Sequence, residues 1–82
     1  MSDYNKVYTI YTKHDCQWCD MAKALLENLR VPYIEKLFGV DFTKEDLIEM
    51  LGADMRPTVP QIYDEETRIG GYEELKKHLN IE

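Results

Sequence analysis

The sequence holds two cysteines, Cys16 and Cys19, separated by Gln17 and Trp18. Residues three apart lie on one face of a helical turn, so the two sulfurs can meet. Such a pair does one of two things. A thiolate with a second thiol beside it carries out thiol–disulfide exchange, and the same spacing supplies half of a zinc site. Cys16 falls just after an apolar strand-like run and at the start of a helical pattern, where the unpaired N–H groups and the positive end of a helix favour a thiolate. Lys13, three residues earlier, adds a positive charge that acts in the same direction, and Asp15 opposes it if its charge faces the sulfur. Cys19, one turn further on, is expected to be the more buried partner, placed to attack a mixed disulfide held on Cys16.

A zinc site built on this pair would take His14 as a third ligand and His78 or water as a fourth. Structural zinc normally draws a second pair of ligands from a distant segment. Here Cys16, Cys19 and His14 lie within six residues, so no metal site is expected.

The elements that position the cysteines follow from hydrophobic pattern. Residues 7–12 are β-branched and aromatic throughout and predict a buried strand. Lys13, His14 and Asp15 form a short loop, with Asp15 as the expected N-cap of a helix opening at Cys16. Met21, Ala22, Leu25, Leu26 and Leu29 form the apolar stripe of that helix, which runs to about residue 29 and is stopped by Val31 and Pro32. Residues 33–37 predict a second strand. Thr43 and Asp46 have the spacing of a capping box, Leu47, Ile48, Met50 and Leu51 supply a second helix face, and Gly52 ends it. Residues 60–63 predict a short third strand, residues 64–67 a polar turn and residues 68–69 a fourth strand closing an antiparallel hairpin. After Gly70 and Gly71, residues 73–79 predict a last short helix.

The order is βαβαββα. Strands one and two, joined by a helix, are expected to be parallel with a right-handed crossover. The result is one mixed sheet with helices on both faces, and the cysteines at the C-terminal end of the first strand, where open α/β sheets commonly bind ligands.

Composition bounds the rest. The 82 residues predict a single domain over 1–82. Hydrophobic residues at 44% and charged residues at 32% argue for a folded chain. The 16 acidic and 10 basic side chains give a net charge of −6 with no basic stripe, so nucleic acid is not an expected partner. Residues 1–20 carry no continuous apolar run, being broken by Lys6, Lys13, His14 and Asp15. Neither a signal peptide nor a membrane span is expected, and a cytoplasmic protein is. Cytosolic thiols are kept reduced, so a cysteine pair there is redox-active or metal-binding rather than a permanent crosslink.

Three segments carry a family resemblance over essentially the whole chain. Tyr11-Thr12-Lys13-His14-Asp15-Cys16-Gln17-Trp18-Cys19, Arg56-Pro57-Thr58-Val59-Pro60-Gln61-Ile62 and Ile69-Gly70-Gly71-Tyr72-Glu73-Glu74-Leu75 resemble, in order and spacing, the short dithiol glutaredoxins of the thioredoxin superfamily. The chain departs from the family's usual Cys-Pro-Tyr-Cys at Gln17 and Trp18, from its usual Ser or Thr before the first cysteine at Asp15, and from its usual Asp-containing pair at Glu73 and Glu74.

The resemblance implies an α/β thioredoxin-like fold, a four-stranded mixed sheet flanked by three helices. It implies a glutathione-dependent disulfide oxidoreductase with Cys16 as nucleophile and Cys19 as resolving thiol. Glutathione acts as co-substrate, with no tightly bound cofactor. Lys13 and Arg56 match positions that meet the glycyl carboxylate. Trp18 matches an aromatic lip of the glutathione groove, or packs on a neighbouring loop. Thr58, Val59 and Pro60 match the segment with a cis proline, whose Val59 backbone pairs with the ligand's cysteinyl backbone. Gly71, Tyr72 and Glu73 match the γ-glutamyl end: the glycine allows close approach, Tyr72 contributes mainly backbone, free N–H groups at the helix start meet the carboxylate, and Glu73 or Glu74 accepts from the ammonium. The implied partners are glutathione and disulfide-containing or glutathionylated proteins, with ribonucleotide reductase as one acceptor, and the implied state is a monomer. Two other readings of the same features are a redoxin reduced directly by a thioredoxin reductase, and a zinc- or iron–sulfur-binding module without turnover.

Overall fold

The computed structural model describes residues 7–81; the ends of the expected 1–82 domain, residues 1–6 (Lys6 among them) and 82, lie outside the described residues. Strand β1 (Tyr8–Thr12) leads into helix α1 (Gln17–Asn28), strand β2 (Tyr33–Leu37) and helix α2 (Lys44–Leu51). Strands β3 (Gln61–Asp64) and β4 (Thr67–Gly70) form a hairpin, and helix α3 (Tyr72–His78) follows. The element order is the expected βαβαββα. The sheet order is β2-β1-β3-β4, with β1 parallel to β2 and antiparallel to β3.

Alternation along β1 divides the interior. Tyr8 and Ile10 point to one face, where Ala22, Leu26, Val31, Ile62 and Leu75 complete a buried cluster beneath α1 and α3. Tyr11 points to the other face and packs with Phe42, Leu47, Leu51 and Val59, the cluster that α2 covers. Ile10, Leu26, Ile62 and Leu75 are fully buried, and truncating one of them to alanine costs about 2–5 kcal/mol.

Local boundaries have local causes. Asp15 is not the N-cap of α1. It takes a left-handed conformation, φ +56°, that turns the chain, and Cys16 caps the helix with extended backbone, φ −121° and ψ 103°. The helix therefore opens at Gln17, one residue later than expected. Arg30 closes it, also in the left-handed region. Thr43 and Asp46 form the expected reciprocal capping box of α2. Pro60, which has no N–H to give a ladder, precedes β3 rather than opening it. A two-residue turn, Glu65 and Glu66, joins β3 to β4. The register then steps from Tyr63↔Arg68 to Ile62↔Gly70, so Ile69 is the extra residue of a bulge.

The topology brings three distant segments to one end of the sheet. Tyr11 pairs with Gln61 across the antiparallel β1–β3 ladder, so the loop after β1 and the segment before β3 meet. Ile62 pairs with Gly70, so the end of β4 and the start of α3 arrive at the same place.

Candidate functional site

Cys16 and Cys19 are joined as a disulfide with Cα atoms 5.2 Å apart. The Cys16 sulfur is also the helix cap: it accepts a 3.2 Å hydrogen bond from the Cys19 backbone N–H. An ionised sulfur accepts such a bond more strongly than a thiol does. Cys16 retains 8% exposure and Cys19 1%, the expected asymmetry between an approachable sulfur and a sheltered one. Gln17 and Trp18 between them are exposed.

Trp18 stands at the wall of a cavity of about 270 Å³ whose other walls are Thr58, Val59, Pro60, Gly71, Tyr72, Glu73 and Glu74. Seven of the nine residues expected to contact a ligand are thus gathered in one place. The Val59–Pro60 bond is cis, as the resemblance implied. Gly71 lies close to Pro60; a Cβ there would come within 3.6 Å of the Pro60 carbonyl oxygen. Trp18 is 51% exposed and its ring meets that of Tyr72, with centroids 5.7 Å apart and planes tilted by 46°. The ammonium of Lys76 lies 5.5 Å over the Tyr72 ring, within cation–π range. The Tyr72 ring is thus held between Trp18 and Lys76 at the cavity.

The remaining two candidates line spaces that adjoin this cavity. Lys13 rims an adjoining groove that shares Thr58 and Val59. Arg56 lines a second adjoining cavity that shares Thr58, Pro60 and Gly71. Thr58 is common to all three spaces.

The start of α3 is not as open as expected. The Gly71 N–H is already taken by the Glu74 carboxylate at 2.9 Å. That bond, together with the N–H of Glu74 itself, holds the Glu74 carboxyl below its ordinary value. Glu73 is left exposed at the cavity wall.

Two residues outside the expected set shape the site. Arg68 on β4 donates to the buried Gln61 side chain at 3.1 Å, and Gln61 donates to the Thr58 hydroxyl at 3.4 Å. With its oxygen engaged by Gln61, the Thr58 hydroxyl has its own proton to give. A glutamine at the start of β3, ahead of Ile62 and Tyr63, was the one sequence signal of this chain of bonds. On the far side of α1, Glu35 accepts from Thr12 at 2.6 Å and from Lys23 at 3.0 Å. The Thr12 bond is the largest influence lowering the Glu35 carboxyl. It ties the end of β1 to β2 just before the cysteine loop.

His14 and His78 do not join the cysteines. His78 lies edge-on to Tyr8 and 4.0 Å from the Asp64 carboxylate. Among the described residues no group of three or more His, Cys, Asp or Glu side chains is arranged to hold a metal ion. No helix among them is long and apolar enough to cross a membrane.

Comparison with known proteins agrees with this geometry. The Glutaredoxin family model matches residues 8–69. A glutaredoxin of Neisseria meningitidis serogroup A is 39% identical over 67 residues, covering 82% of this chain and 78% of the relative. Glutaredoxin 3 of Escherichia coli K12 is 39% identical over 66 residues, covering 80% and 77%. Among solved structures, glutaredoxin 1 of Francisella tularensis superposes with a TM-score of 0.74 at 28% identity, over 90% of this chain and 92% of that one.

Proposed function

The chain belongs to the glutaredoxin family and is a thiol–disulfide oxidoreductase, and from that premise we propose that glutathione is its reductant and Cys16 its nucleophile. The observation that carries the reading is the Cys16–Cys19 disulfide at the cap of α1, next to a cavity walled by Trp18, Val59, Pro60, Gly71, Tyr72 and Glu73.

On a glutathionylated protein, the Cys16 thiolate attacks the glutathionyl sulfur. The protein thiolate leaves and takes up a proton, and Cys16 carries the glutathione as a mixed disulfide. A second glutathione thiolate attacks the same glutathionyl sulfur, releasing oxidised glutathione and the Cys16 thiolate. On a protein disulfide, Cys16 bonds one sulfur and the other leaves as a thiolate. Cys19, deprotonated, then attacks the Cys16 sulfur and expels the substrate's second thiolate. The resulting Cys16–Cys19 disulfide is returned to two thiols by two glutathiones.

Each wall has a task in this scheme. Lys13 and Arg56, which line spaces adjoining the cavity, offer cations to glutathione carboxylates. The Val59 backbone pairs with the cysteinyl unit as an added strand. Trp18 and Tyr72 cover the apolar stem, Thr58 donates its hydroxyl, and Glu73 is the free acceptor for the ammonium, since Glu74 is engaged by Gly71. The protein works as a single-domain monomer in the cytoplasm, on disulfide-containing or glutathionylated proteins, ribonucleotide reductase being one candidate.

The test is reduction of the mixed disulfide of glutathione and β-mercaptoethanol, coupled to glutathione reductase and NADPH. The unmodified protein is expected to turn it over, Cys16→Ser to lose all activity and Cys19→Ser to keep most of it. Absence of NADPH oxidation with the unmodified protein would sink the assignment of glutathione as donor.

A further inference from the structure

The Thr58–Val59 segment lines two spaces. Adjoining the proposed glutathione cavity is a groove of about 360 Å³, walled by Phe38, Leu47, Pro57 and Val59 and rimmed by Lys13 and Lys44. Its lining holds two cations and no carboxylate, in a chain of 16 acidic and 10 basic residues. Apolar surface stands open there: Phe38 is 46% exposed. Neither lysine forms an ion pair among the described residues.

Lys44 is placed against the electrostatics of its own helix. It is the first residue of α2, directly after the N-cap Thr43. The positive end of a helix favours acids there and disfavours cations. Glu45 and Asp46, the next two residues, follow that preference. A lysine that does not serve the helix and has no internal partner is free to serve the groove.

We infer that this groove seats the polypeptide part of a disulfide substrate, a segment carrying a carboxylate and an apolar side chain close to its reacting cysteine. The inference rests on the proposed role of Cys16 in disulfide exchange. Val59 lines both the groove and the cavity, so a chain that runs along Val59 leaves one and enters the other. The apolar side chain fills the space between Phe38, Leu47 and Pro57, and the carboxylate meets Lys44. No new chemical step is involved; the groove selects which disulfide reaches Cys16.

The test uses two peptides, each closed by one internal disulfide and identical except for Asp or Lys near the cysteines, with a Phe kept in both. The mixed disulfide of glutathione and β-mercaptoethanol is the third substrate. The unmodified protein is expected to reduce the Asp peptide with a kcat/KM about fivefold above that of the Lys peptide at low salt, and the ratio is expected to fall as salt is raised. Lys44→Glu, which suits the start of α2 and so preserves the fold, is expected to bring the ratio to one or below while leaving turnover of the small mixed disulfide unchanged. Lys77→Glu, the same change of net charge away from the groove, is expected to leave the ratio as it was. Phe38→Ala is expected to lower kcat/KM for both peptides and not for the small substrate. Equal rates for the two peptides, or a ratio that Lys44→Glu does not move, would overturn the groove while normal turnover of the small substrate left the disulfide-exchange reading standing. Failure on all three substrates would overturn both.

Discussion

The Cys16 sulfur and the Cys19 backbone N–H are joined across the first turn of α1 by a 3.2 Å hydrogen bond, so the side chain that caps the helix is the one proposed as nucleophile. The capping bond and the disulfide link the same two residues. In the reduced protein the capping bond is expected to hold the sulfur at the helix end.

Limited alkylation of the reduced protein at neutral pH, read by peptide mapping, checks this asymmetry. Cys16 has the helix N–H and 8% exposure, Cys19 only 1%. Iodoacetamide is expected to modify Cys16 at least about tenfold faster. Equal rates would mean that capping and burial do not separate the two thiols.

Trp18 meets the Tyr72 ring and forms one wall of the cavity. Trp18→Ala is expected to raise KM for a glutathione mixed disulfide about threefold to tenfold, the loss of one aromatic contact, with kcat little changed. Trp18→Phe is expected to restore most of it. A fall in kcat alone would place the tryptophan's effect on the sulfur chemistry instead.

Glu74 anchors the start of α3 through the Gly71 N–H. The bond favours the carboxylate in the folded protein, so the carboxyl lies below its ordinary 4.5. Its stabilising effect is complete above that ordinary value and is lost as pH falls through the lowered one. Glu74→Ala is expected to cost about 1 kcal/mol at neutral pH. The stability gap between the unmodified protein and Glu74→Gln, measured by urea unfolding, is expected to close as the medium is acidified below pH 4.5.

Gly70 holds φ +127°, and a Cβ there would stand 2.8 Å from the Cβ and Cγ of Glu74. Both the backbone and the space demand glycine. Gly70→Ala is expected to destabilise the fold by roughly 1–3 kcal/mol, read as a lower urea midpoint.

The Tyr33 phenol is pushed up to about 12, by burial first and then by Glu27, whose carboxylate accepts its O–H. Because the folded value is raised, the stabilising effect is present below the ordinary 10 and is lost as pH rises through about 12. Tyrosinate absorbance is expected to show this late ionisation, and Glu27→Gln to bring it back toward 10.

The order of elements was legible because each carries its period: alternation in β1, the Met21, Ala22, Leu25, Leu26 stripe in α1, and the Thr43–Asp46 box before α2. The cap of α1 was not. Asp15 is a better capping residue than Cys16 by type, but its left-handed backbone turns it away and leaves the sulfur at the helix end. Tyr72 was read for its backbone because nothing local announces a ring contact with Trp18, 54 positions earlier (72 − 18). The Glu74–Gly71 bond was hidden for a related reason. An acid in a first turn suits the helix dipole wherever it points, and only the Gly70 geometry aims this one back at the chain. The residues that wall the cavity were named through family resemblance; spacing alone marked only the cysteine pair.

Register across the sheet has a consequence for how the protein comes into being. Tyr11↔Gln61 and Ile62↔Gly70 are the pairings that bring the cysteine loop, the proline segment and the glycine pair to one end. No contiguous stretch of chain owns the pocket. A fragment ending at Gly52 would carry both sulfurs and none of the walls beyond Trp18, and the complementary fragment would carry those walls with nothing to oxidise. Redox turnover is thus a report on reassembly: two such pieces mixed in solution gain activity only to the extent that β3 finds β1, and their rate of gain measures that docking directly.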